Sequence, residues 1–194
     1  HNTGGGEEIA ALVAIAASQA SINLERLYVD DNWGPTTNGN STYDVSVRAE
    51  SGGAISLVDS LVTFGGARGL RAFANAGDLR LGHLTIADYP IGGVNFRIEG
   101  KSRVVLQNSI VAFNPQGRDL EGDISKDWLS QTTNFIGGNP FFLDEPNGNY
   151  RLAPFSSAID AGTRDVETFR TQDLDHLPRL VGTGTDLGSY ERPF

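Results

Sequence analysis

The sequence predicts an all-β fold, a right-handed parallel β-helix (a solenoid) of about five coils with an irregular C-terminal cap. Three observations lead to it. A short apolar motif begins at Leu24, Leu57, Leu81 and Leu106, which are 33, 24 and 25 residues apart. An alternating strand pattern precedes these copies by about ten residues, and Gly-rich turns separate the segments. The crossover rule for parallel strands makes the right-handed form the expectation.

Composition narrows the class of protein. The 194 residues include 24 glycines and no cysteine or methionine, which excludes a disulfide framework and thiolate chemistry. The net charge of −9 argues against a nucleic acid partner, which needs clustered lysine and arginine. No apolar run is long enough to predict a membrane span. A chain without methionine that opens on His1 indicates a processed or excised piece of a larger protein.

The first strand is the most ambiguous element. The alanine-rich stretch Glu7–Ala20 favours a helix by propensity, yet Val13, Ile15 and Ala17 alternate with smaller residues at the strand period. We therefore predict Val13–Ala17 to be the first member of a series of strands. The later members contain Val45–Val47–Ala49, Leu70–Ala72–Ala74 and Val94–Phe96–Ile98.

Two further short strands complete each coil. Side chains alternate across a strand, so aligned rows should point inward and stack along the coil axis. We expect Ser60 and Ser109 to be small inward spacers in one of these rows. The two rows of the third strand are Leu27, Ser60, Leu84 and Ser109, and Val29, Val62, Ile86 and Val111.

A tight corner joins the second and third strands and carries Arg26, Asp59, His83 and Asn108 in successive coils. This column stacks a base, an acid and an imidazole, which is one way to build a catalytic site. The favoured interpretation is structural, because tight corners use left-handed residues and Asn or Asp tolerates that conformation best.

The repeat ends in the second half of the chain. An insertion, Trp33–Asn40, is a predicted loop, and Leu129–Ile136 is the predicted last coil. We assign residues 1–138 to the coils and 139–194 to a capping segment of the same domain. Its apolar residues are expected to cover the end of the last coil, because a solenoid must bury its terminal cross-section. These residues are Phe141, Phe142, Leu143, Tyr150, Leu152, Phe155, Ile159 and Leu187.

The outward side of the first strands is the candidate ligand-binding surface. The pattern places Arg48, Phe73 and Arg97 in one outward column and Glu50, Asn75 and Glu99 in the next, with Arg71 and Asn95 before them. Arginines bind carboxylates bidentately and an exposed phenylalanine suits a sugar ring, so the predicted ligand is a polysaccharide. Arg48, Arg97, Glu50 and Glu99 are also the catalytic candidates for cleavage of an acidic polysaccharide. The alternative is a solvated face with Arg–Glu pairs between coils.

Acidic pairs in predicted turns are candidate Ca²⁺ ligands. Asp30 with Asp31 and Asp173 with Asp175 could supply carboxylates to this hard cation, although no twelve-residue calcium loop is present. Asp144 with Glu145 is a further such pair. Turn chemistry explains all of them equally well.

The C-terminal region resembles a known family. Asn139–Gly162, Asp173–Arg179 and Thr185–Glu191 are similar to the end of the bacterial right-handed β-helix proteins called choice-of-anchor Q. Asn108–Val111 and Thr133–Gly138 match the last coils of that family. His176 departs from it, since a glycine usually stands there. The resemblance implies a secreted or surface-displayed bacterial protein and no single activity.

Three functions remain open. The leading hypothesis is a non-catalytic extracellular module that binds or displays carbohydrate. The alternatives are a polysaccharide lyase or related carbohydrate-active enzyme, and a structural stalk or adhesin segment. The open end of the first coil predicts a preceding domain, an oligomer contact, or a helical lid formed by Glu7–Ala20.

Overall fold

The structure is a computed structural model that describes residues 9–32, 42–124 and 127–193. Strands β1 to β15 form three parallel sheets of five strands each, and every coil contributes one strand to each sheet. Coils 1 and 2 contain β1 (Ile9–Ala16), β2 (Ser21–Glu25), β3 (Tyr28–Asp30), β4 (Thr42–Glu50), β5 (Ala54–Val58) and β6 (Leu61–Thr63). Coils 3 and 4 contain β7 (Arg68–Asn75), β8 (Asp78–Gly82), β9 (Thr85–Ala87), β10 (Gly92–Glu99), β11 (Arg103–Gln107) and β12 (Ile110–Ala112). Coil 5 contains β13 (Leu120–Gly122), β14 (Leu129–Thr132) and β15 (Phe135–Ile136).

The register confirms the parallel β-helix. Leu24, Leu57, Leu81 and Leu106 are direct partners in adjacent strands of the second sheet. Because like residues lie over like residues, the apolar rows merge into one continuous core along the axis. The right-handed sense of winding stays a prediction of the crossover rule.

The first strand differs from the prediction by one residue. β1 covers Ile9–Ala16 and pairs Leu12 with Val45, so Leu12, Ala14 and Ala16 take the inward positions. Val13 and Ile15 lie on the outer side and are each 51% exposed. The expected inward row was therefore wrong, and the helical lid over Glu7–Ala20 is excluded because residues 9–16 are a strand. Since β1 is apolar on both sides, the alternation alone could not distinguish the two registers.

The corner residues adopt the predicted left-handed conformation, with φ of 54° at Arg26, 49° at Asp59, 51° at His83 and 50° at Asn108. Ser60 and Ser109 are buried beside these corners, as expected for spacers. The Ser60 hydroxyl also accepts the amide hydrogen of Leu27, and the Ser109 hydroxyl accepts that of Leu84. Each leucine lies one coil earlier, directly before the third strand of its coil.

The capping segment lies in a different place from the one predicted. After the antiparallel pair β16 (Phe142–Asp144) and β17 (Asn149–Leu152), the chain has little regular structure and packs against the outer side of the third sheet. Leu61, Ala87 and Ile110 are the outward residues that it covers. Of the residues expected to cover the last coil, Phe141, Leu143 and Phe155 are instead exposed.

The end of the last coil stays partly open. Ile136, which pairs with the core residue Val111, is 41% exposed, and Leu129 is only partly buried. The prediction of an end cap was wrong because the third sheet carries apolar residues outside as well as inside.

Candidate functional site

The predicted outward columns are confirmed on the first sheet. Phe73 is the direct partner of both Arg48 and Arg97 in the neighbouring coils, and Arg71 pairs with Asn95. Glu50, Asn75 and Glu99 form the adjacent column. We call the surface formed by Arg48, Arg71, Phe73 and Arg97 the arginine face.

Phe73 is the centre of the arginine face, but it is not a platform for a sugar ring. The guanidinium carbons of Arg48, Arg71 and Arg97 lie 5.1, 5.7 and 5.7 Å from the centre of its ring. These cation–π contacts leave Phe73 only 7% exposed. The expectation of an exposed phenylalanine was therefore wrong, since the arginines of adjacent coils fold over it.

Carboxylates within the same strands hold two of these arginines. Arg48 donates from Nε and Nη2 to Glu50, at 3.1 and 2.7 Å, and Arg97 donates from Nε to Glu99 at 2.7 Å. The predicted alternative was Arg–Glu pairing between coils, whereas these two pairs form along one strand. A guanidinium held in this way is a fixed cation, which suits anion binding better than proton abstraction. The geometry therefore does not favour the catalytic assignment of these four residues.

Three of the four residues in the corner column are inaccessible to a substrate, whereas Arg26 is partly exposed. Asp59, His83 and Asn108 are between 0% and 1% exposed because the C-terminal segment covers them. Burial holds the pKa of His83 well below its usual value, and the Asn108 amide group contacts His83 Nε2 at 3.1 Å. The structural interpretation of this column is confirmed by its conformation and its burial.

The candidate Ca²⁺ ligands have other partners. Both carboxylate oxygens of Asp173 accept backbone amide hydrogens, from Leu177 and Glu191, at 2.7 and 2.8 Å. Asp175 accepts a hydrogen bond from Nε of Arg151 at 2.8 Å, and Asp30 accepts one from Thr63 at 3.2 Å.

Within residues 9–32, 42–124 and 127–193, no three Asp, Glu or His side chains converge as metal ligands. Ca²⁺ takes six to eight oxygen ligands, and Asp31, Asp144 and Glu145 are likewise not part of any such group of acidic side chains in this part of the chain.

A groove at the turn between the first and second sheets was not predicted. It is shallow and widely open to solvent, has a volume of about 430 Å³ and crosses coils 2 to 5. We call it the corner groove. It is lined by Gly52, Ala76, Gly77, Asp78, Lys101, Ser102, Arg103 and Trp128.

Two of the residues that line the corner groove are glycines, Gly52 and Gly77. A β-carbon at Gly77 would lie 2.4 Å from the carbonyl oxygen of Ala49, so this turn has no room for a side chain. Gly52 and Ala76 have φ of 82° and 51°, which keeps the turn tight.

Trp128 forms one end of the corner groove and is 43% exposed. It lies beside Arg103, because the Trp128 carbonyl accepts the amide hydrogen of Val104 at 2.9 Å. Sequence reasoning missed this residue because the repeat is weak after Asn114. One signal was available: Trp128 follows Arg103 by 25 residues, which is one repeat.

Comparisons with known proteins leave the family open. No family model, no curated protein and no solved structure matches the chain. The choice-of-anchor Q resemblance therefore stays a prediction. His176 has φ of 63°, which is the left-handed conformation expected where that family has glycine. Among the described residues, no helix has the length and apolar character needed to cross a bilayer.

Proposed function

We propose that this protein is a non-catalytic carbohydrate-binding module of a larger secreted or surface protein, and that the corner groove holds the sugar. The observation that carries the proposal is Trp128, a partly exposed indole at the end of the corner groove. Sugar rings have apolar faces that stack on such an aromatic surface, and sites of this kind add a few polar groups for orientation. Asp78 and Lys101 supply those groups.

The dimensions support an extended ligand. The corner groove spans four coils, and neighbouring coils are about 4.8 Å apart, so it is about 14 Å long. An oligosaccharide fits this shape better than a compact cofactor does. A structural stalk would need no such groove, and a lyase would need a base that the arginine face does not provide.

A single-tryptophan variant tests the proposal. The chain has two tryptophans, so Trp33→Phe leaves Trp128 as the only indole. Adding a panel of neutral and acidic hexasaccharides is expected to shift the emission of that variant for at least one probe. Calorimetry with Trp128→Ala should then show affinity reduced more than about 10-fold, as is usual for a tryptophan at the centre of a site.

Phe155→Ala is the matched control, because Phe155 is an aromatic residue that is 72% exposed on the C-terminal segment, outside the groove. Its affinity should equal that of the wild type. Unchanged binding in Trp128→Ala, or no binding to any probe, would refute the proposal. Release of unsaturated products from alginate or pectate would favour the lyase instead.

A further inference from the structure

We infer that the sugar bound in the corner groove is an anionic polysaccharide, bearing uronate or sulfate groups, and that it follows coil 4 over Arg97, Lys101 and Arg103. We call these three residues the basic track. The inference rests on the proposed carbohydrate-binding function and specifies its ligand.

The basic track turns from the arginine face into the corner groove. Arg97 lies in β10, Lys101 in the turn that follows, and Arg103 at the start of β11. All three are exposed, with 59% of the Arg97 side chain and 51% of the Arg103 side chain accessible. Trp128 stands beside the Arg103 end, so a chain stacked on this indole can continue along coil 4.

The two arginines of the basic track are held in place before any ligand binds. Arg97 stacks on Phe73 and donates to Glu99 at 2.7 Å. Arg103 donates from Nη1 to Glu167 at 2.8 Å, and its Nη2 also contacts this carboxylate. A planar guanidinium fixed in this way presents its remaining N–H groups with little loss of entropy on binding, which favours bidentate contact with carboxylate or sulfate.

The charge balance favours an anion at Lys101. Glu99 balances Arg97, and the pair Asp78 and Glu167 balances the pair Arg80 and Arg103. The Lys101 ammonium is left as the excess charge of the track. On a chain with a net charge of −9, an acidic polymer is repelled by most of the surface. A local row of cations beside the indole is what would allow it to bind here.

Arg48 provides a matched control within the same molecule. It stacks on Phe73 at 5.1 Å and pairs with Glu50, as Arg97 does with Glu99, but it lies in coil 2 and outside the track. Arg48→Gln and Arg97→Gln therefore remove the same charge and the same kind of contacts. Only the second change removes a proposed ligand contact.

The experiment compares charged and neutral probes of equal length. Hexagalacturonate is titrated against its carboxyl-reduced form. A chondroitin sulfate hexasaccharide is titrated against its desulfated form, its carboxyl-reduced form and the neutral form that has undergone both changes, by calorimetry at low and high salt. The wild type is expected to bind a charged probe at least about 10-fold more tightly than its neutral form, with the difference reduced at high salt. Lys101→Gln and Arg97→Gln should each weaken charged-probe binding about 5-fold or more and leave neutral-probe binding unchanged. Loss on carboxyl reduction identifies uronate as the group bound, and loss on desulfation identifies sulfate.

The outcomes separate this inference from the function on which it rests. Equal affinity for charged and neutral probes, with both lost in Trp128→Ala, would overturn the anionic ligand and keep the carbohydrate site. No binding by any glycan in either experiment would remove both. If Arg48→Gln weakened charged-probe binding as much as Lys101→Gln, overall charge rather than the track would be responsible, and the inference would fail.

Discussion

The coils and the C-terminal segment, residues 139–193, are stabilised in different ways. The coils are held by repeating rows of buried apolar side chains, and each coil contacts its neighbours through the same positions. The C-terminal segment does not repeat. Apart from its two small apolar clusters, it is attached by individual polar contacts to the corners of the coils. Regular packing therefore builds the solenoid, and specific anchors position the segment upon it.

The anchors reach four successive coils. In coil 1, Arg26 donates to the Asp173 carbonyl at 3.2 Å, and in coil 2 Asp59 pairs with Arg179. In coil 3, Thr85 Oγ1 accepts the Ser189 amide hydrogen at 3.0 Å, and in coil 4 Asn108 donates to the Thr163 carbonyl at 2.7 Å. Coils of a solenoid normally interact only with their neighbours, so a segment that contacts four of them makes their unfolding more cooperative.

The Arg179–Asp59 pair is the most buried of these anchors. Arg179 donates from Nε and Nη2 to Asp59 Oδ1 at 3.0 and 2.7 Å, and both side chains are at most 1% exposed. Glu191 lies 3.8 Å from Arg179 Nη1. The low polarity of this site makes an intact pair tolerable and a broken one costly.

Removing the Arg179 guanidinium should have the largest effect. Arg179→Met leaves the Asp59 carboxylate buried without its partner, which is expected to lower the free energy of unfolding by about 4 kcal/mol in urea. Hydrogen exchange should show lost protection in residues 160–193 before the inner strands are affected. The double variant Asp59→Leu/Arg179→Met removes both charges and should be more stable than Arg179→Met alone. Equal stability of the two variants would show that the pair is not what anchors the segment.

A cavity in the core tests how strongly apolar packing stabilises the coils themselves. Leu81 is fully buried in coil 3, so Leu81→Ala should lower the free energy of unfolding by about 3 kcal/mol. Leu24, its counterpart in coil 1, is only partly buried, and Leu24→Ala should cost clearly less. Urea unfolding of both variants measures the difference. Equal losses would mean that the first coil is packed as tightly as the middle of the stack.

The pH dependence of the anchors gives the smallest effect. Burial raises the pKa of Glu191 to about 7, from 4.5 in an unfolded chain. The folded state therefore binds the proton more tightly, and the stability that this confers is complete below pH 4.5 and is lost as the pH rises through 7. Burial also raises the pKa of Asp88 to about 7, which has the same sign, whereas the lowered pKa of His83 has the opposite sign.

Glu191→Gln isolates this one group, because the amide imitates the protonated acid and leaves Asp88 and His83 in place. Relative to the wild type, the variant should gain about 2 kcal/mol of stability between pH 5 and pH 8. Thermal unfolding at both pH values measures the gain. A constant difference between variant and wild type would contradict the raised pKa.

Most of the coil could be predicted from the sequence, because repetition makes the register visible. The steps between Leu24, Leu57, Leu81 and Leu106 align each row, and any slip would move every inward residue to the outside. The left-handed corners followed from the same alignment. β1 was misplaced by one residue because its two faces are both apolar, so the alternation carried no information there.

The candidate site was less predictable. The columns of the arginine face were predicted correctly. The burial of Phe73, however, depends on the way in which the side chains of three arginines, one from each of three coils, fold over its ring. The corner groove depends on the gap between turns of four coils, which no single segment encodes. Asp160 and Asp186 accept backbone amide hydrogens within the C-terminal segment, from Gly184 at 2.8 Å and from Asp160 at 2.7 Å.

By itself, the sequence determined the stacked strands, the three-sided coil and the left-handed corners, since these depend on local alternation and on a period that repeats. Only the tertiary structure decided where the C-terminal segment lies, which corner residues it buries and where the groove opens. Those features arise from contacts between residues that are far apart in the chain and occur once. A pattern that occurs once has no second copy against which it can be aligned.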